Sequence, residues 1–279
     1  MCSEAKCSYS SPISGFIEIV SEKGFSLNRI KEKGLKEVNL PGRGRSPVAY
    51  FEKDNLFLLR SLSDKGLQLD FYKADENKII KTLELPSYVT SISSACFDEN
   101  KSLWLLHIQE HYDIPRRFVL SKSDKNYEEW DNFLIRDEDD EDWFQRIFSL
   151  GAPVERPVSV TCGTDNAYLL THLYFQNIMQ INVYRFDPEE KKLVYITGFF
   201  PVDEDGVVSS HFSVAGEKLY IFQNRTLTSV RKSDFPEKRD FNEFGKMFFS
   251  ESEKGVLMFF IPESENGERV AGRIMKETF

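Results

Sequence analysis

A short apolar segment led by an aromatic recurs five times in this chain, each copy directly after a polar turn. The copies are LFLLR at Leu56–Arg60, LWLLH at Leu103–His107, AYLLT at Ala167–Thr171, LYIFQ at Leu219–Gln223 and VLMFF at Val256–Phe260. The turns before them read KDN, ENKS, GTDN, AGEK and EKG, all rich in residues that tolerate tight reversals. Successive copies start 47, 64, 52 and 37 residues apart. A strand–turn–strand unit recurring at roughly 20–50 residues is the mark of a stacked or radially closed β-architecture.

The surrounding sequence supports strands over helices. Apolar runs are short, some alternate with period two, as at Leu67, Leu69 and Phe71, and turn clusters such as ADENK separate them. Aromatic residues make up 14% of the 279 residues, 24 of them Phe, and these suit pleated, half-buried surfaces. The first full unit runs from Pro47 to Pro86 as a four-stranded meander, and three further units repeat the scheme. The last unit, KMFFS, VLMFFIP and RVAGRIM, lacks a fourth strand, while FIEIV, SLNRI and LKEVNLP stand spare before the first. An N-terminal strand that completes the last unit would close a ring and remove exposed sheet edges.

This pattern resembles a β-propeller. The resemblance implies an all-β fold of about five four-stranded blades, closed by an N-terminal strand. The likeness to WD40 and kelch propellers is one of architecture: a Trp-Asp dipeptide occurs once, at Trp130-Asp131, and no paired glycines precede the aromatic strands. Residues 1–13 read as a flexible tail and 14–279 as a single propeller-like domain. One insertion, DEDDEDWFQRIFSL at 137–150, places Trp143, Phe144, Ile147 and Phe148 on one face of a short helix behind an acidic N-terminal run.

Charge and composition narrow the partners. A net charge of −9 gives no dominant phosphate-binding face, so nucleic acid is not expected. No basic region followed by an apolar run opens the sequence, and no stretch approaches a membrane span. Cys2, Cys7, Cys96 and Cys162 do not form a disulfide framework by number or spacing. Cys96 and Cys162 end apolar runs and read as reduced, buried small hydrophobes. The expected compartment is the cytoplasm, with the nucleus as the alternative.

Four features are candidates for function. The residue closing each repeat copy, Arg60, His107, Thr171, Gln223 or Phe260, varies and is polar in four, so these side chains could line one face of a central channel. The LPGRGRSP loop at 40–47 offers Arg43 and Arg45 to a phosphate or carboxylate, and its Ser46-Pro47 step could be phosphorylated. The acidic run Asp137–Asp142 lacks the glycine and alternating ligands of a calcium loop and reads as a solvated cap, leaving Trp143 as a docking residue. His107 and His111 would stand about 13 Å apart on a strand, too far to share a metal. No HExxH, GxSxG, CxxC pair or P-loop is present.

These readings converge on a non-catalytic protein-interaction scaffold or adaptor, binding a protein or peptide and needing no cofactor. The alternative is a propeller hydrolase or lyase acting on a sugar or other small substrate, with acids drawn from Asp70, Asp98, Asp113 and Asp165. A third reading, a subunit of a larger assembly, would use the Trp143 and Phe148 helix for docking.

Overall fold

A computed structural model describes residues 8–21, 24–42, 44–111, 114–138, 154–164, 166–175, 178–203, 208–231, 234–252, 255–263 and 272–278. Among these residues every regular element is a strand except one 3-10 turn, Glu52–Asp54. The strands form six antiparallel meanders in chain order. Blade 1 holds β1 (Ser8–Ser10), β2 (Phe16–Ser21), β3 (Gly24–Lys31) and β4 (Gly34–Val38). Blade 2 holds β5 (Ser46–Phe51), β6 (Leu56–Ser63), β7 (Gly66–Lys73) and β8 (Lys78–Glu84). Blade 3 holds β9 (Val89–Phe97), β10 (Leu103–His111), β11 (Ile114–Ser123) and β12 (Trp130–Glu138). Blade 4 holds β13 (Val154–Cys162), β14 (Ala167–Phe175), β15 (Ile178–Asp187) and β16 (Lys192–Asp203). Blade 5 holds β17 (Val208–Ser213), β18 (Lys218–Gln223), β19 (Thr226–Arg231) and β20 (Glu237–Asp240). Blade 6 holds β21 (Gly245–Ser252), β22 (Gly255–Pro262) and β23 (Arg273–Thr278).

The fold is an all-β propeller of six blades, not five. The strands expected to be spare at the N-terminus pair with one another as blade 1, and none of them joins the sheet of blade 6 among the described residues. The reason is local. β2, β3 and β4 pair in immediate register, Ser21 opposite Gly24 and Lys31 opposite Gly34, and such short connections close before any distant edge can compete. The chain divides into two compact units, Met1–Leu40 with Asp205–Phe279, and Pro41–Glu204.

Every repeat copy is the second strand of its blade, and packing within each unit explains why the copies are apolar without interruption. In LWLLH, Leu103 and Leu105 pack with Leu58, Leu69 and Phe71 of blade 2. Trp104 and Leu106 pack the other way, with Ala167, Leu169 and Phe186 of blade 4. VLMFF behaves likewise in the other unit. Val256, Met258 and Phe260 meet Tyr220 and Phe222 of blade 5, while Leu257 and Phe259 meet Ile17 and Ile30 of blade 1. A strand covered on both faces has no side that rewards polarity, so the alternation of a half-exposed strand is lost.

The reversals before the copies close as their residue types demand. Asn55, Lys101 and Glu217 adopt φ of 48°, 67° and 46°. Gly255, at φ 143°, lies so close to its partner strand that a Cβ there would stand 1.9 Å from the Glu277 carbonyl oxygen. Asp98 organises the turn before Trp104 by accepting from the backbone N–H of Asn100 and Ser102 at 3.0 and 2.9 Å.

Two covalent and ionic fasteners stand out. Cys96, on β9 opposite Trp104, and Cys162, on β13 opposite Ala167, are joined in a disulfide across blades 3 and 4, with Cα atoms 5.6 Å apart. The reduced state expected for them is therefore corrected. Their register turns both sulfurs into the seam that Trp104 and Ala167 share, a proximity hidden by 66 residues of separation. In the other unit β23 is held by ion pairs: Arg273 to Glu243, Lys276 to Glu32 of blade 1, and Glu277 to Lys218 of blade 5.

The helix expected over 137–150 lies outside the described residues beyond position 138, and Asp137 and Glu138 continue strand β12. Strand β1 falls within the first thirteen residues, where Ser8 to Ser10 pair with Val20 to Glu18.

Candidate functional site

The residues that close the repeat copies sit at the ends of second strands, and each blade uses its own differently. His107 is 3% exposed. Its Nε2 lies 2.8 Å from the Ser121 hydroxyl, which itself donates to Asn132 Oδ1 at 2.5 Å. Because that hydroxyl proton is committed to Asn132, Nε2–H must be the donor of the first bond, and Nδ1 is left buried with no partner. A second proton would have nothing to bind, and burial lowers the imidazole pKa to about 4.

Thr171 is equally buried in blade 4, where its hydroxyl donates to Glu155. Asn182, opposite Thr171 on β15, donates from Nδ2 to the same carboxylate oxygen at 3.0 Å. Tyr184 also bonds Glu155, and burial, followed by the Glu155 charge, pushes its phenol upward. Gln223 ends β18 in the other unit, half-buried opposite Thr226. Phe260 is fully buried in its blade core.

In blade 2 Arg60 is exposed, directly opposite Ser46, and reaches the Ile92 carbonyl of blade 3 only at 3.5 Å. Arg45 turns to the other face, where its Nε donates to Asp70 Oδ2 at 2.8 Å. Asp70 is 3% exposed and also accepts from Thr82 at 2.6 Å and Ser61 at 3.4 Å. Burial alone would raise this carboxyl, but the Arg45 and Thr82 hydrogen bonds outweigh it and hold the pKa below the usual range. Arg43 and Trp143 lie outside the described residues.

The structure thus gives three polar sets in the unit Pro41–Glu204, one per blade, around Asp70, His107 and Glu155. Ser121, Asn132, Glu155 and Asn182 were not recognised in the sequence. Their pairing follows from cross-strand register, which unequal loops conceal. Four register shifts interrupt the first strands of these blades, between Pro47 and Ala49, opposite Leu106 and His107, opposite Ile108 and Gln109, and between Pro157 and Ser159. They bend the strands beside the same polar positions.

Around these strand ends apolar side chains reach solvent. Leu62, near the end of β6, is 80% exposed, and Tyr174, near the end of β14, is 37% exposed. Tyr88, whose carbonyl accepts from Glu110 N–H at the end of β10, is also 37% exposed. The opposite strand ends in this unit carry the turns KDN, ENKS and DPEEK, all polar.

No protein-family profile matches the chain. No curated protein matches it in sequence either. Among solved structures it is similar to Hsv2 of Kluyveromyces lactis, at 10% identity over 97% of both chains with a TM-score of 0.47. It is also similar to the Cps50 (Swd1) β-propeller domain of Myceliophteria thermophila, at 9% identity over 99% of this chain and 97% of that one, TM-score 0.48. Hydrazine synthase of Kuenenia stuttgartiensis is a weaker likeness, at 11% identity over 99% of this chain and 66% of that one, TM-score 0.42. At these identities nothing about activity or partners passes from those proteins to this one. Among the described residues no helix is long and apolar enough to cross a membrane, and no three His, Cys, Asp or Glu side chains group as metal ligands do.

Two results are expected from this geometry. Replacing Arg45 with Ala leaves the Asp70 carboxylate buried without its cation. The chain should lose about 2–3 kcal/mol, read as a lowered urea midpoint, at or just below the cost of breaking a fully buried pair because Arg45 is partly solvated. Acid should also destabilise the chain through His107. The unfolded chain takes up this proton near pH 6.5 and the folded chain only near 4, so its contribution is complete above about 6.5 and declines as pH falls toward 4. The slope from this residue is up to about 1.4 kcal/mol per pH unit, and His107→Gln should flatten urea midpoints measured across that window.

Proposed function

We propose that this protein is a non-catalytic interaction scaffold, and that a protein or peptide docks on the strand ends of blades 2 to 4. The observation that carries the reading is the exposure of Leu62, Tyr88 and Tyr174 on the same strand ends as Arg60. Aromatic and arginine side chains dominate binding energy at protein interfaces, and exposed apolar groups gathered on one side mark such surfaces. In this reading Arg60 makes direct contact, while Arg45, His107 and Thr171 keep the strand ends in place. Gln223 occupies the corresponding position in blade 5, and Arg43 stands two residues before Arg45 in the sequence.

The described acids argue in the same direction, Asp113 and Asp165 lying outside the described residues. Asp70 is committed to Arg45, Thr82 and Ser61, and Asp98 to its own turn and to the Trp104 indole at 3.3 Å. Glu155 serves Thr171, Asn182 and Tyr184. Carboxylates used up in this way do not make the separated pair that a glycosidase requires.

The test is affinity capture from cell extract with the wild-type chain and with a Leu62→Ser, Tyr88→Ala, Tyr174→Ala variant. Leu62 stands mostly in solvent, whereas Tyr88 and Tyr174 are about two-thirds covered and Tyr174 meets His172, so a urea midpoint matching the wild type is the check that the variant is folded. A partner held by the wild type and lost from the variant supports the reading. Equal capture by both chains, or turnover of a small substrate with no captured partner, overturns it.

A further inference from the structure

We propose that Ser46 is a phosphoacceptor for a proline-directed kinase, and that the Arg60 guanidinium receives the phosphate. Ser46 is the first residue of β5, is exposed, and is the direct cross-strand neighbour of Arg60. Side chains opposite one another in an antiparallel pair share a face, with Cβ atoms about 5 Å apart. A phosphate on the serine oxygen therefore falls within the span of the arginine side chain, which can meet two of its oxygens with two N–H donors.

The present partner of that guanidinium is weak. Its hydrogen bond to the Ile92 carbonyl is 3.5 Å long, at the outer limit for such a bond, and Arg60 is exposed. Arg45, by contrast, is already engaged. It is bound to Asp70 on the face of blade 2 opposite Arg60, since Asp70 pairs with Leu59 rather than with Arg60. This anchor fixes the residue before Ser46, and its acid does not share the Arg60 face.

Ser46 itself is exposed, but Pro47 is buried opposite Leu59, so a kinase that reads the proline takes the serine when the first residues of β5 lift from β6. Pro47 restricts the backbone of Ser46 to extended conformations, which suit an open substrate groove. Gly42 and Gly44, at φ 68° and 83°, turn the connector immediately before it. In the transfer the Ser46 Oγ forms a bond to the γ-phosphorus of ATP as the bond to ADP breaks. ADP leaves, and the hydroxyl proton passes to the base of the kinase. The product carries close to two negative charges on blade 2 beside Arg60. It would alter the strand ends where docking is proposed, although the modification itself does not depend on that proposal.

The test incubates the full chain with a proline-directed kinase and Mg-ATP, maps the phosphopeptides by mass, and follows the phosphate by phosphorus NMR against pH. One phosphoryl group is expected at Ser46, absent from Ser46→Ala. The second ionisation of the phosphate should lie about half a unit or more below that of phosphoserine in a short peptide of residues 40–50, and should return to the peptide value in Arg60→Gln. Failure of the folded chain to accept phosphate at Ser46, while that peptide accepts it, overturns the phosphoacceptor assignment. A titration that is the same in wild type and Arg60→Gln overturns the role of Arg60. Neither outcome bears on capture of a partner by the unmodified chain.

Discussion

Replacing Trp104 with alanine is expected to cost about 4 kcal/mol, within the range for removing a buried large aromatic. The indole is fully buried between blades 3 and 4, with the Phe186 ring edge-on at 6.0 Å and the Lys122 ammonium 4.9 Å from its centre. Its N–H donates to Asp98 at 3.3 Å, so the same residue ties the core to the turn that starts its own strand. Alanine removes all of these contacts and leaves a cavity that two packed sheets cannot readily close. Trp104→Phe keeps most of the apolar area and should cost less, about 2 kcal/mol, mainly the Asp98 bond and the lost volume. Urea unfolding of both variants reads the difference. A loss under about 1 kcal/mol for the alanine variant would mean that the seam between these blades is not packed as described.

Opening the Cys96–Cys162 disulfide should cost nearly as much. The bond closes a loop of 66 residues, and the entropy it removes from the unfolded chain corresponds to about 4 kcal/mol at room temperature. Measured effects of such bonds run from about 2 to 4 kcal/mol, and the lower part of that range is expected because the seam retains its apolar contacts after reduction. The comparison is the urea midpoint with and without dithiothreitol, alongside Cys96→Ser, which should match the reduced chain and no longer respond to reductant. Coincident curves with and without reductant would show that the bond contributes nothing to stability. Reduction should act first on hydrogen exchange in blades 3 and 4.

Much of the fold was legible because the apolar repeat and its turns are local signals. The five copies mark five second strands, and the reversals at Asn55, Lys101, Glu217 and Gly255 fall where KDN, ENKS, AGEK and EKG place them. The blade count was one short because β2, FIEIVS, has its aromatic first and is interrupted by Glu18, so blade 1 carries no copy of the repeat. Cys96 and Cys162 each looked like an isolated small hydrophobe, and only the register of β9 and β13 brings them to one seam. The polar sets have the same character. Thr171, Asn182 and Glu155 meet across three strands, and nothing local in VERPVSVTC indicates that its glutamate will serve the other two. Arg45 was visible as a basic loop residue, but its tie to Asp70 depends on a strand 25 residues away.

The contrast between the disulfide and the ion pairs of β23 has a practical consequence. The unit Pro41–Glu204 carries a covalent cross-link, whereas β23 in the other unit adds ion pairs to its ladder with β22 and the packing of Ile274 and Met275, and of these pairs Arg273–Glu243 and Lys276–Glu32 are solvent-accessible. Accessible ion pairs weaken as the Debye length shrinks, while a disulfide is indifferent to ionic strength. Salt and thiol therefore act on different fastenings of this chain, ionic strength on the β23 pairs and reductant on the seam of blades 3 and 4, so each serves as a control for the other within the same molecule.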